Sequence, residues 1–246
     1  MSRAMSRAMT RAMTRATTML LTLRAVLLFA LVTLVAPVLQ AADAPAAAPA
    51  AAAATSAPTA LDRYLAGLKG LRATFTQQAV DASGKVVESG SGQLLVSRPG
   101  RFRWEYTPAE GGPQLLVGDG RNLWFYDRDL QQATVKPASA GLGSTPIMLL
   151  SASPAELHSA FELRTQPARD GAEWVAVTPH DASADFASAE LGFRAGQLAG
   201  LVIHDRLGQV VTLQFTRSER NGSVPEAQLR FSPPAGVDLI GTPQKP

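Results

Sequence analysis

The chain has 246 residues, no cysteine, 23 basic and 20 acidic residues, and a formal charge of +3 with a pI near 9.6. Five of its arginines (Arg3, Arg7, Arg11, Arg15, Arg24) fall in residues 1–42, which hold no acid; without them 18 basic residues face 20 acidic ones and the charge is −2. The remaining chain therefore lacks the basic balance of a nucleic-acid binder, and with no cysteine it must fold on its core alone.

Residues 1–42 read as a secretory leader: a basic start, an apolar run from Ala25 to about Val35, and small residues at Ala41 and Ala42 where cleavage is expected. The alternative of an uncleaved anchor is disfavoured by the short apolar run. The tetrapeptide repeat over residues 1–16 fits an upstream extension, with translation starting at Met13 or Met19. Residues 43–60 are rich in Ala and Pro and read as a disordered tether, and the Ala50–Ala54 run is too short to hold a helix alone. Without a cysteine for lipidation, the mature protein is expected to be soluble.

Residues 61–246 are long enough for one domain. Leu61, Leu65, Leu68 and Leu71 fall at helical spacing behind Pro58-Thr59 and predict a helix. Short strands follow at about 72–80, 86–97, 101–107, 113–118, 121–127 and 130–136, then at 161–166, 172–179, 187–194, 197–204, 209–217 and 227–232. Turn pairs such as Asp119-Gly120, Asp170-Gly171 and Ala195-Gly196 separate them, which predicts an antiparallel meander curled into a barrel or sandwich. Residues 137–160 interrupt it with a Gly-rich loop, the apolar run Ile147-Met148-Leu149-Leu150, and a capping box at Ser153, Pro154 and Glu156. This insert must lie on the sheet, because its apolar side needs burial.

Catalytic constellations are missing from the sequence. His158, His180 and His204 stand apart and read as surface or satisfied side chains, with no metal spacing. Gly90-Ser91-Gly92 is not a nucleophile elbow, and Asp127 and Asp129 flank Arg128 as turn formers. The aromatic window is the main signal. Alternation sets Phe102, Trp104 and Tyr106 on one face of their strand; in the next, Trp124 and Tyr126 share one face and Leu123 and Phe125 the other. Two arrangements fit: a thick sandwich core, or a curved sheet whose concave side is an apolar cavity. Arg98, ending an apolar strand, is either solvated or a latch on carbonyls that a helix end leaves orphaned.

An ordered set of segments then resembles a known family. Phe75-Thr76-Gln77, Gly90-x-Gly92, Arg98-Pro99 with Phe102 and Trp104, Asp119-Gly120 with Leu123-Trp124-Phe125-Tyr126, Gln132-Ala133-Thr134, Thr145-Pro146-Ile147-Met148-Leu149 and Phe231-Ser232-Pro233-Pro234-x-Gly236-Val237 are similar to the periplasmic outer-membrane lipoprotein carriers of Gram-negative bacteria. The resemblance implies a mainly β (α+β) fold, an open, incomplete antiparallel β-barrel of about 11–12 strands with a short-helix lid. It implies a monomeric, non-enzymatic periplasmic chaperone without cofactor or metal. It would take acylated lipoproteins from an inner-membrane ABC transporter and deliver them to an outer-membrane receptor. Arg98 falls on the family's lid latch and Phe102 on a position needed for exchange with the membrane partners. The expected ligand-binding set is Arg98, Phe102, Trp104, Trp124, Tyr126, Ile147, Met148 and Leu149. The Ala/Pro tether and the Gly/Ala-rich loop at 136–143 depart from the family pattern. A periplasmic sensing domain of the same open-barrel type is the alternative.

Overall fold

A computed structural model describes residues 57–140 and 145–244. The expected leader, nearly all of the tether and the centre of the Gly-rich loop lie outside the described residues. Helix α1 (Ala60–Leu65) opens the described chain with Thr59 as its N-cap. Strands β1 (Gly70–Val80), β2 (Val86–Ser97), β3 (Arg101–Pro108), β4 (Gln114–Asp119), β5 (Asn122–Asp127) and β6 (Gln132–Pro137) follow. A 3-10 segment (Pro146–Leu150) and helix α2 (Pro154–Ala160) then precede β7 (Phe161–Arg169), β8 (Ala172–Pro179), β9 (Ser188–Arg194), β10 (Gln197–His204) and β11 (Val210–Arg220). A last short strand, β12, spans Asp238–Ile240.

All twelve strands form one sheet in the order β12-β6-β5-β4-β3-β2-β1-β11-β10-β9-β8-β7. Sequence neighbours pair as hairpins, and β1 also pairs with β11 to join the two halves. The sheet stays open, with β7 and β12 at its edges. The hairpin at Asp170-Gly171 has φ of 54° and 68°, and that at Ala195-Gly196 48° and 72°, the doubly left-handed backbone that tight two-residue turns need.

Flat, such a sheet would be roughly 50 Å wide. Two short helices and one 3-10 segment could not cover a face of that width. One cluster of buried side chains nevertheless draws on β1–β5, β7–β11 and both helices, so the sheet coils and buries its inner face around the lid segments. Leu61, Leu65, Leu149, Leu150 and Leu157 supply the lid's share, each 0–2% exposed.

Three expectations need correction. The first helix ends at Leu65; Gly67 turns the chain at φ 71°, so Leu68 lies in a loop and Leu71 in β1. Both leucines are buried in the same cluster, so their spacing reflected core burial rather than a continuing helix. The segment at 227–232 is not a strand. Glu226–Leu229 forms a 3-10 turn and Pro233-Pro234 cannot donate to a ladder, so the twelfth strand forms further on, parallel to β6. Helix α1 begins at Ala60, inside the stretch read as tether.

Candidate functional site

The inner face of the sheet carries the aromatic residues of β1 and β3. Phe75, Trp104 and Tyr106 form a stack, with centroids 5.8 Å apart for the first pair and 5.7 Å for the second. Phe215 meets Phe75 edge-on at 6.2 Å. Glycines on neighbouring strands make room for these rings. A Cβ on Gly92 would lie 2.4 Å from Phe75, and one on Gly118 2.4 Å from Phe102. The Gly90-x-Gly92 spacing is therefore a floor for aromatic rings, and Phe102 is fully buried over Gly118.

Ile147, Met148 and Leu149 lie buried in the same cluster, brought there from the lid side by the 3-10 segment. Trp104 is half-buried and packs against this cluster. The sequence window thus contributes Phe102, Trp104 and Tyr106 to the inner face, together with Leu123 and Phe125.

Trp124 and Tyr126 are not part of that face. Trp124 packs with Val117 and Val135 in a separate cluster on the outer side of the sheet, edge-on to Phe231 at 5.6 Å, and Tyr126 meets Phe231 at 5.4 Å. The indole Nε1 donates to Asp119 Oδ2 at 2.9 Å. Both faces of β5 are apolar because a C-terminal segment covers the outside.

Arg98 directly follows β2, beneath the lid. Its Nη1 donates to the carbonyl of Leu65 at 2.7 Å, and its Nη2 donates to the carbonyl of Ala152 at 2.6 Å. The first oxygen belongs to the last residue of α1; the second belongs to the link between the 3-10 segment and α2. One guanidinium therefore ties α1 and the link that leads into α2 to the rim of the sheet. Burial lowers its pKa and the nearby Glu156 carboxylate acts against that shift. The turn after Arg98 adds a third tie, Gly100 N–H donating to Ser151 O at 3.1 Å.

Other ties escaped the sequence reading. Arg220 Nη2 donates to Tyr64 O at 2.8 Å and to Ala66 O at 3.1 Å, and its guanidinium lies 5.0 Å from the centre of the Tyr64 ring. Asn221 Oδ1 accepts from Lys69 N–H at 2.7 Å, and its Nδ2 donates to Gly67 O at 3.0 Å. His158 of α2 meets Asp62 of α1 at 2.8 Å and joins the helices directly. His204 lies 3.8 Å from Glu190, and His180 lies 3.1 Å from the carbonyl of Ser159. None of these ties had a local signal; β11 runs to Arg220, three residues past the strand end expected at 217.

A coiled open sheet, an apolar inner face and a hydrogen-bonded lid over it define a class of carriers for apolar chains. The model of the family described as outer membrane lipoprotein carrier protein LolA matches residues 66–232, and the chain belongs to that family. The outer-membrane lipoprotein carrier protein of Dechloromonas aromatica (strain RCB) is 37% identical over 181 residues, 74% of this chain and 86% of that one. That of Methylibium petroleiphilum is 40% identical over 181 residues, 73% of this chain and 87% of that one. Among solved structures, an uncharacterised conserved protein of Thermus thermophilus superposes with a TM-score of 0.47 at 19% identity, over 74% of this chain and 96% of that one.

Proposed function

We propose that this protein is a periplasmic carrier that shields the acyl chains of lipoproteins between the inner and outer membranes. In this reading it is exported by a cleaved leader. It receives its cargo from a lipoprotein-releasing ABC transporter and surrenders it to an outer-membrane receptor. Arg98, Phe102, Trp104, Ile147, Met148 and Leu149 serve the acyl site; Trp124 and Tyr126 do not. The observation that carries the reading is the Arg98 clasp, which holds two lid elements over an apolar inner face through the carbonyls of Leu65 and Ala152.

Burying one methylene contributes about 0.8 kcal/mol, so a single long acyl chain contributes on the order of 10 kcal/mol. Unassisted crossing of an aqueous space is therefore negligible. A carrier must hide the chains and yet release them. With the lid down, Leu149, Leu150 and Leu157 already occupy the inner face. Acyl chains must displace them, and each such side chain is worth about 1.5–3 kcal/mol of burial. Net affinity is then a difference between two apolar fillings, with the Arg98 bonds added to the empty side. A closed state that competes with cargo weakens apparent affinity and favours release.

The test is purification of the tagged protein from periplasm, followed by mass spectrometry of what accompanies it. Acylated proteins are expected, and they should be lost when the inner face is blocked by Phe215→Glu, at a half-buried position where the carboxylate can reach water. Recovery without any acylated partner would overturn the carrier reading.

A further inference from the structure

Three polar atoms on the inner face are buried with no hydrogen-bond partner among the described residues: Gln77 Oε1, Trp104 Nε1 and the Tyr106 hydroxyl. They are neighbours. The Trp104 and Tyr106 rings stack with an interplanar angle of 15°. The Tyr106 ring reaches across β2, where a Cβ on Gly90 would lie 2.7 Å from its hydroxyl. Gly90 pairs with Gln77 of β1, so the hydroxyl is carried towards that carboxamide. Gln77 itself is 8% exposed and Tyr106 1%.

The roles of these atoms are fixed by their surroundings. Gln77 Nε2 points to Glu88 Oε1 at 3.5 Å, which leaves Oε1 of the carboxamide as the free acceptor. Burial first, then the Glu88 carboxylate through its contact and its charge, hold the Tyr106 pKa above its ordinary value, with Gln77 acting against the shift; the hydroxyl therefore keeps its proton, and both neighbours lie close to it without completing a hydrogen bond of good geometry. The indole N–H can only donate. Leaving such groups unpaired costs about 1–3 kcal/mol each, and the fold gains nothing in return. Two donors beside one acceptor match a secondary amide: its carbonyl, with two lone pairs, accepts from both Tyr106 and Trp104, and its N–H donates to Gln77.

We propose that Gln77, Trp104 and Tyr106 form a polar subsite for the amide that joins an acyl chain to the N-terminal cysteine of a lipoprotein. This rests on the carrier reading. The hydrocarbon would lie against the half-buried apolar residues beside the subsite, Phe215 and Val211 among them.

Binding of two synthetic triacyl lipopeptides to the purified protein tests it. They are identical except that one has its acyl amide N-methylated, so chain count and carbonyls are the same and only the N–H differs. Wild-type protein should bind the parent lipopeptide about fivefold tighter than the N-methyl form, the scale of one hydrogen bond. Gln77→Leu should bind the two alike. Tyr106→Phe should weaken both about fivefold while its melting temperature stays level or rises, because an unpaired hydroxyl has been removed. A purely structural role predicts the stability change without the binding change. The subsite is overturned if the wild type shows no preference, if Gln77→Leu keeps it, or if Tyr106→Phe binds as the wild type does. If the wild type binds neither lipopeptide, the carrier reading itself falls, and the subsite with it.

Discussion

Arg98 can hold two carbonyls at once because its guanidinium is planar and carries donors on both arms, whereas a lysine ammonium at the same site would reach one. Losing both charge-assisted bonds should shift the lid equilibrium by on the order of 2 kcal/mol, or about thirtyfold in apparent affinity for an acyl ligand. Arg98→Leu should therefore bind a lipopeptide more tightly than the wild type and transfer it to acceptor membranes more slowly, with Arg98→Lys between the two. Normal transfer by Arg98→Leu would sink the latch. Phe102 needs a different expectation. Its ring is fully buried over Gly118, so Phe102→Glu would place a carboxylate in the core at a cost of several kcal/mol. A large drop in melting temperature is expected, and Phe102→Leu, costing about 1 kcal/mol, is the variant that can report on transfer. An unchanged melting temperature in Phe102→Glu would show that the ring leaves the core. Of these two residues, Arg98 was legible as an alternative only: its strand-end position was visible, but its acceptors lie 33 and 54 residues away.

The lid is built from two short helices, and both open on a capping box. Thr59 and Asp62 exchange bonds at the start of α1, as Ser153 and Glu156 do at the start of α2. Helices of six and seven residues cannot stand alone, so caps and tertiary ties decide whether they form. Burial disfavours the charged form of Asp62, but its bonds from Thr59 and its contact with His158 outweigh that, and its pKa lies below the ordinary value. A depressed pKa in the folded state adds stability in full above the unfolded pKa, lost as pH falls through the folded one. Protection of residues 60–66 from hydrogen exchange, corrected for intrinsic rates, should hold from neutral pH down to about pH 4 and fall below it. Asp62→Asn should lower that protection at neutral pH, by about 1 kcal/mol, and flatten its pH dependence. A parallel acid-induced loss in both proteins would assign the effect to another carboxylate. The box at Ser153 was readable because its chemistry is local; the link from His158 to Asp62 spans 96 residues and left no local trace.

At the scale of the whole molecule, hairpins and inner-face alternation were readable because turn pairs and period two are short-range signals. The two faces of β5 were not. Its outer aromatics are buried by Phe231, over a hundred residues along the chain, and nothing near Trp124 announces that cover. The open sheet has two edges to protect. Strand β7 carries Glu162, Arg164, Pro167 and Arg169, charges and a proline that discourage pairing with another chain. Strand β6 has little of this and is covered by β12 instead, through the parallel pairs of Asp238, Leu239 and Ile240 with Gln132, Ala133 and Thr134. The C-terminal segment therefore caps a sheet edge and shields the outer cluster, while the proposed acyl site lies on the opposite face. Deleting residues 226–246 should separate these roles. Trp124, 6% exposed in the intact chain, and its neighbours Val117 and Val135 would meet water beside a bare strand edge. The truncated protein should show red-shifted tryptophan emission and self-association by sedimentation, while lipopeptide binding at the inner face stays within about threefold of wild type, since sites that share no partners behave nearly additively. A monomer with unshifted emission would show that the outer cluster needs no cover, and a collapse of lipopeptide binding would show that the two faces are coupled through the sheet.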